Sequence, residues 1–318
     1  MIETATPPAR PAIPRTIWVL GFVSLFTDMS SEMVHSLLPI LLAGGFGASA
    51  LMIGLIEGAA EALVLVTKVF SGYLSDALGR RKPLVLLGYA LATAVKPLFP
   101  LADSVATVTM ARLLDRLGKG IRGAPRDAMV SDLAPPEVRG AAFGLRQSMD
   151  TIGAVVGPLL AIALMAWLAN DIRAVLWWAV LPGLVAVALL IRLPEPEHAR
   201  RPARLPLTRE GMARLGPAFY RLTLLGACFS LARFSEAFLV LRAADLGLSL
   251  TWVPLVLVVM STVYALTAYP AGWLSDRMPR RWLLALGLAV LVMADIVLAL
   301  GDTLGAMFAG IALWGLHM

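Results

Sequence analysis

A chain of 318 residues that is 59% hydrophobic and only 15% charged, with a mean hydropathy of +0.80, is not a soluble domain, since soluble proteins carry roughly 25% charged residues. Its net charge of +6 does not point to nucleic acid, because the basic residues are spread through connections between apolar runs instead of forming one basic domain. The single cysteine, Cys228, rules out a disulfide framework, and the three dispersed histidines His35, His198 and His317 make no metal site, so no cofactor is expected.

Residues 1–15 are Pro-rich and read as a cytoplasmic N-terminus. The apolar segment 16–42 is too long for a cleavable signal and reads as a retained first span. It carries Asp28, Glu32 and His35, which share one helix face within roughly 60° of arc. The second span, 51–71, carries Glu57, Glu61 and Lys68 on one narrow face. Ionisable groups inside spans mark pathways, and two such stripes on neighbouring spans can line one cavity for protons or a cationic group.

The connection that follows runs Gly72-Tyr73-Leu74-Ser75-Asp76-Ala77-Leu78-Gly79-Arg80-Arg81-Lys82. Gly72 permits close helix approach and Gly79 a tight turn at positive φ. Asp76 is suited to capping a helix or pairing with an arginine. Spans at 83–101 and 104–125 hold Lys96, then Arg112 and Arg116, as basic partners for the acidic stripes. Gly118-Lys119-Gly120 lacks the glycine spacing of a phosphate loop.

The fifth span, 139–167, places Arg146 and Asp150 four residues apart, on the face that also holds Gly153 and Gly157, with Pro158 next. Small residues at that spacing allow close packing in lipid. After a sixth span at 172–192, the Pro- and Arg-rich stretch 193–216 reads as a linker. Spans at 217–241, 251–272 and 282–301 follow, with a tenth from about 304. Arg233 and Glu236 at i, i+3 are expected to neutralise each other. The connection Gly272-Trp273-Leu274-Ser275-Asp276-Arg277-Met278-Pro279-Arg280-Arg281 repeats the earlier turn. Lys and Arg concentrate in alternate connections, which places the N-terminus and both turns on the cytoplasmic side.

The turn at Gly72–Lys82, with its degenerate copy at Gly272–Arg281, resembles the signature loop of the major facilitator superfamily. The likeness extends over the whole chain in span count, linker position and motif spacing. Gly153-x-x-x-Gly157-Pro158 is similar to an element of that superfamily's antiporters. The resemblance implies an all-α polytopic membrane protein: a six-helix N-terminal bundle at 16–192 and a partial C-terminal bundle at 217–318. About nine full spans and a partial tenth, set against two six-span halves, read as a C-terminal truncation. The resemblance further implies a latch at Asp76 in the outward-open state. It also implies a proton-coupling arginine in span four, at Arg112 or Arg116, with Arg112 the deeper of the two.

The expected function is proton-coupled export of a small molecule by alternating access, without enzymatic chemistry, by a monomer in the inner (plasma) membrane. Alternatives are a uniporter or symporter for a nutrient or metal chelate, and a fold-retaining sensor or inactive fragment that transports nothing.

Overall fold

The computed structural model describes residues 12–195, 208–275 and 278–318, and the ordered elements among them are helices. In chain order these are α1 (Arg15–Ile40), continued by a π turn at Leu41–Gly45, α2 (Ala50–Leu78), α3 (Lys82–Val95), α4 (Leu98–Leu101) and α5 (Val105–Leu133). A 3-10 turn at Pro136–Val138 leads into α6 (Arg139–Trp167), α7 (Ile172–Trp178) and α8 (Val180–Ile191). Then come α9 (Arg209–Ala213), α10 (Pro217–Ala232), α11 (Ala237–Asp245), α12 (Leu255–Ser275), α13 (Arg280–Leu300) and α14 (Leu304–His317).

Local chemistry fixes the helix ends. Ser49 begins α2 by accepting the Met52 N–H at 3.2 Å. Ser104 does the same for Thr107 on α5 at 3.3 Å. Asp171 caps α7 through Ala174 at 3.1 Å, and Thr303 caps α14 through Ala306 at 3.2 Å; each satisfies a backbone donor the helix cannot. Gly79 ends α2 at φ 61°, with its N–H on the Ser75 carbonyl at 3.1 Å. That is the left-handed stop only glycine adopts without cost.

Among the described residues, six helices are long and apolar enough to cross a membrane: 15–45, 50–78, 82–101, 136–167, 172–191 and 281–300. α5 is too charged to count among them, yet α2 and α3 both pack against it. α1 packs most extensively on α6 and also on α8. The α1–α6 seam depends on glycine. A Cβ at Gly153 would stand inside contact distance of the Leu25 carbonyl oxygen, and one at Gly157 would lie 2.6 Å from the Met29 carbonyl oxygen.

Two apolar clusters stack along these helices. One, around Ile17, Leu20, Tyr89, Met129 and Leu190, lies at the end that holds the start of α1, here the near face. The other, around Leu38, Phe99, Val108, Met165 and Leu176, lies at the far face and includes Ala237 of α11. Ionic groups occupy the layer between them. A third cluster joins α11, α12, α13 and α14 and takes in Ile40 of α1. α1–α8 and α10–α14 meet through α6 against α12 and α1 against α11, and at the far face Thr251 Oγ1 donates to Asn170 Oδ1 at 2.6 Å.

The expected seventh span is two helices, α10 and α11, separated at residues 233–236. This overturns the expected Arg233–Glu236 pair, because i, i+3 neighbours face each other only on a continuous helix. The Arg233 guanidinium lies over the Trp314 ring at 5.2 Å, while the Glu236 carboxylate lies 3.9 Å from His35. The third and sixth spans are also interrupted, at Lys96–Pro97 and at Ala179. Ser30 Oγ donates to the Ala179 carbonyl at 2.6 Å, pairing a backbone acceptor at the second interruption.

Gly153→Ala should destabilise the detergent-solubilised chain by about 1–3 kcal/mol through overpacking of the α1–α6 seam. Gly144→Ala, on the same helix with open space around it, should stabilise by up to about 1 kcal/mol. Thermal unfolding of the two variants side by side checks this, and equal shifts would contradict the seam.

Candidate functional site: a charged cavity between two groups of helices

Helical spacing brings the site together. Glu32 and His35 on α1, Glu57 and Glu61 on α2, and Arg116 and Lys119 on α5 recur at i, i+3 or i, i+4, so each pair points the same way from its helix. All six border a cavity of about 650 Å³, within the range of about 300–1,000 Å³ usual for small-molecule sites. The opposite wall comes from Ser230 near the end of α10, from Arg233, Phe234, Ser235 and Glu236 of the α10–α11 interruption, and from Trp314 of α14. The interruption is what delivers Glu236 to α1.

Behind this wall the charges are matched. Arg112 Nη2 donates to Glu57 Oε2 at 2.6 Å, with both residues at most 4% exposed. Lys96 Nζ meets Asp115 Oδ1 at 3.0 Å and Ser31 Oγ at 3.3 Å. Arg116 Nη1 lies 3.5 Å from Glu61. Of the two candidate span-four arginines, Arg112 is enclosed with Glu57 and Arg116 faces the cavity.

His35 is the meeting point of three carboxylates. Its Nδ1 lies 3.5 Å from Glu32 and 3.9 Å from Glu236, and its Nε2 lies 3.9 Å from Glu57. Glu32 and Glu236 also border a second, smaller space of about 150 Å³, with Gln147, Asp150 and Tyr264. Asp28 does not line the main cavity; it adjoins Asp150 across the α1–α6 seam. Arg146 Nη1 lies 3.6 Å from Asp150, and its Nη2 donates to Gln147 Oε1 at 2.7 Å. Pro158 is buried beside Gly157 on α6.

The turn after α2 sits apart from the cavity. Buried Arg81 reaches Asp76, donates to Ser75 Oγ at 2.5 Å and, from Nε, to Asp132 at 3.2 Å at the end of α5. The backbone N–H groups of Arg81 and Lys82 both donate to Glu195 Oε1, at 2.7 and 3.2 Å. Arg80 is exposed and Gly72 packs 3.2 Å from Ala124 on α5, measured from an ideal Cβ. In the repeated turn, Asp276 lies outside the described residues; Gly272 and Arg280 occupy helical positions at the end of α12 and the start of α13.

The sequence offered no site role for Asp115, Phe234 or Trp314, and Lys119, which counts there among the basic residues of a cytoplasmic connection, lies within α5 and lines the cavity. The lone cation of the third span, Lys96, was the available signal for Asp115, since a lysine at that depth requires a carboxylate.

Arg112→Gln should destabilise the chain by about 3–5 kcal/mol, because it leaves the Glu57 carboxylate buried without a partner. Adding Glu57→Gln should recover most of that loss. A thermal double-mutant cycle measures it, and additive losses would contradict the pair.

The family model described as Major Facilitator Superfamily matches residues 20–318. An uncharacterised MFS-type transporter of Methanocaldococcus jannaschii is 32% identical over 285 residues, 87% of this chain and 70% of that protein. The multidrug resistance protein MdtH of Edwardsiella ictaluri is 28% identical over 302 residues, 93% of this chain and 71% of its own length. Among solved structures, an inward-facing, occupied bacterial homologue of the human lysosomal transporter Spinster superposes with a TM-score of 0.73 at 18% identity, covering 95% of this chain and 71% of that one. That likeness concerns the fold alone. With the family match spanning nearly the whole sequence and the helices arranged as in a solved transporter, the chain belongs to the Major Facilitator Superfamily of membrane transporters.

Proposed function

We propose that the chain exports a small molecule across the plasma membrane in exchange for protons, by alternating access to the charged cavity. The observation that carries this reading is the convergence of Glu32, Glu57 and Glu236 on His35. Glu236 belongs to the second group of helices and the other three residues to the first. The charge state of this cluster therefore sets the attraction between the two groups. With His35 charged, Glu236 is drawn towards α1; with the ring neutral, Glu32 and Glu236 are like charges that repel. A proton taken up at Asp28 or Glu32 removes one negative charge from this region and shifts the balance, and its release resets it.

The moving bodies are residues 16–192 and 217–318, joined by the basic linker 193–216 and rocking about the cavity. The near face, with Arg80, Arg81, Lys82 and Arg139, is the cytoplasmic side by the Lys and Arg bias. Packing of Ile40 with α11–α14 and the Thr251–Asn170 bond support a cavity closed towards the outside. Asp76, held with Asp132 by Arg81, is the latch for the opposite state. The Gly153–Gly157–Pro158 seam and the naming of several relatives as multidrug resistance proteins support export over uptake.

The test is flux in proteoliposomes with a panel of cationic and zwitterionic rhodamine dyes. A pH gradient should drive saturable dye movement in wild-type vesicles. The Asp28→Asn, Glu32→Gln double variant should fall to the level of empty vesicles. Gradient-driven transport that survives in the double variant would remove the proton role, flux indifferent to the gradient would favour a uniporter, and no flux with any dye would favour a sensor.

A further inference from the structure

The main cavity carries carboxylates and cations on both of its walls, and several of them form no ion pair with one another among the described residues. On the α1–α11 side, Glu32 and Glu236 approach the same His35 nitrogen, at 3.5 and 3.9 Å. One imidazolium can offset only one carboxylate, and among the described residues neither glutamate pairs with a lysine or arginine. Lys119 of α5 and Arg233 of the α10–α11 interruption also line the cavity, and neither forms an ion pair among the described residues. Carboxylates and cations so placed in one cavity, yet not joined to each other, are separated by more than contact distance.

The wall formed by the α10–α11 interruption and α14 also carries aromatic rings. Phe234 and Trp314 pack with ring centroids 5.8 Å apart, and Arg233 lies over the indole. Trp314 is 1% exposed, and its buried Nε1 has no hydrogen-bond partner among the described residues.

We propose that the substrate is an amphiphilic zwitterion: a cationic group seated between Glu32 and Glu236, an anionic group on Lys119 and Arg233, and an apolar or aromatic body against Phe234 and Trp314. A purely cationic ligand would leave Lys119 and Arg233 unmatched in a low-dielectric space, and a purely anionic one would leave the two glutamates so. A zwitterion matches both sets of charges without changing the net charge that the moving helices carry. This inference rests on the reading of the cavity as a transport site, and binding tests it separately from flux.

The experiment uses the full chain in nanodiscs and four forms of one diaromatic dipeptide: both termini free, C-terminally amidated, N-terminally acetylated, and blocked at both ends. Binding is followed by Trp fluorescence and calorimetry. The free dipeptide should bind about tenfold or more tightly than either singly charged form, the equivalent of losing one charge-assisted contact. In Glu32→Gln, Glu236→Gln the free and acetylated forms should become equivalent; in Lys119→Gln, Arg233→Gln the free and amidated forms should. Each double variant retains selectivity at the end it does not touch, which separates loss of a contact from loss of fold. Equal binding of the free and amidated forms to the wild type, tighter binding of the doubly blocked form, or no binding of any form would overturn the proposal. Gradient-driven dye flux that persists alongside such a result would leave the transporter reading standing.

Discussion

A charge in the hydrocarbon layer must be matched by another group, and α5 is where this constraint bears hardest. The helix carries Arg112, Asp115, Arg116, Lys119, Arg122 and Arg126 along its length, too many for an isolated span. Its neighbours make it tenable. Glu57 and Glu61 on α2 take Arg112 and Arg116, Lys96 on α3 takes Asp115, and the Tyr89 ring lies under Arg122 at 4.4 Å. α5 is therefore held between α2 and α3 with its charged face turned inward, while Met110 on its other face stays exposed. Lys119 forms no ion pair among the described residues, and it lines the cavity.

The second constraint is backbone continuity. Interruptions at Lys96–Pro97, at Ala179 and at 233–236 expose backbone groups at membrane depth, which is tolerable only inside protein or beside a cavity. Ser30 answers the interruption at Ala179. The one at 233–236 borders the cavity, and there the freed segment presents Arg233, Phe234, Ser235 and Glu236 to the first group of helices. Fold and site are coupled at this point: a continuous seventh helix would have bound Arg233 to Glu236 and left His35 facing only its own group.

Much of the architecture was legible in the sequence because its signals are local. The apolar run at 139–167 is the extent of α6, and Gly79 adopts the left-handed turn its place after the span implied. Gly153 and Gly157 lie in a seam that admits no Cβ. The acidic stripes on α1 and α2 followed from helical period alone, and Glu32, His35, Glu57 and Glu61 do border one space. Other features were hidden for physical reasons. The segment 217–241 is apolar enough to read as one helix, and only tertiary contact reveals that it divides. Lys96–Asp115, Arg81–Asp132 and Arg233 over Trp314 join residues far apart in sequence, and no periodicity within a single span encodes such pairs.

Proton-biased exposure of this cavity to alternate faces is the centre of the account, and thiol accessibility tests it most directly. Cys228 is the sole cysteine and is exposed, so Cys228→Ser with Ser230→Cys places one thiol at the cavity wall. A membrane-impermeant maleimide is applied to right-side-out and to inside-out vesicles, with and without a pH gradient. Labelling is expected chiefly from the cytoplasmic side at rest, shifted towards the outside when a proton gradient is imposed, with no shift in the Asp28→Asn, Glu32→Gln background. Labelling from one side only and indifferent to the gradient would contradict it.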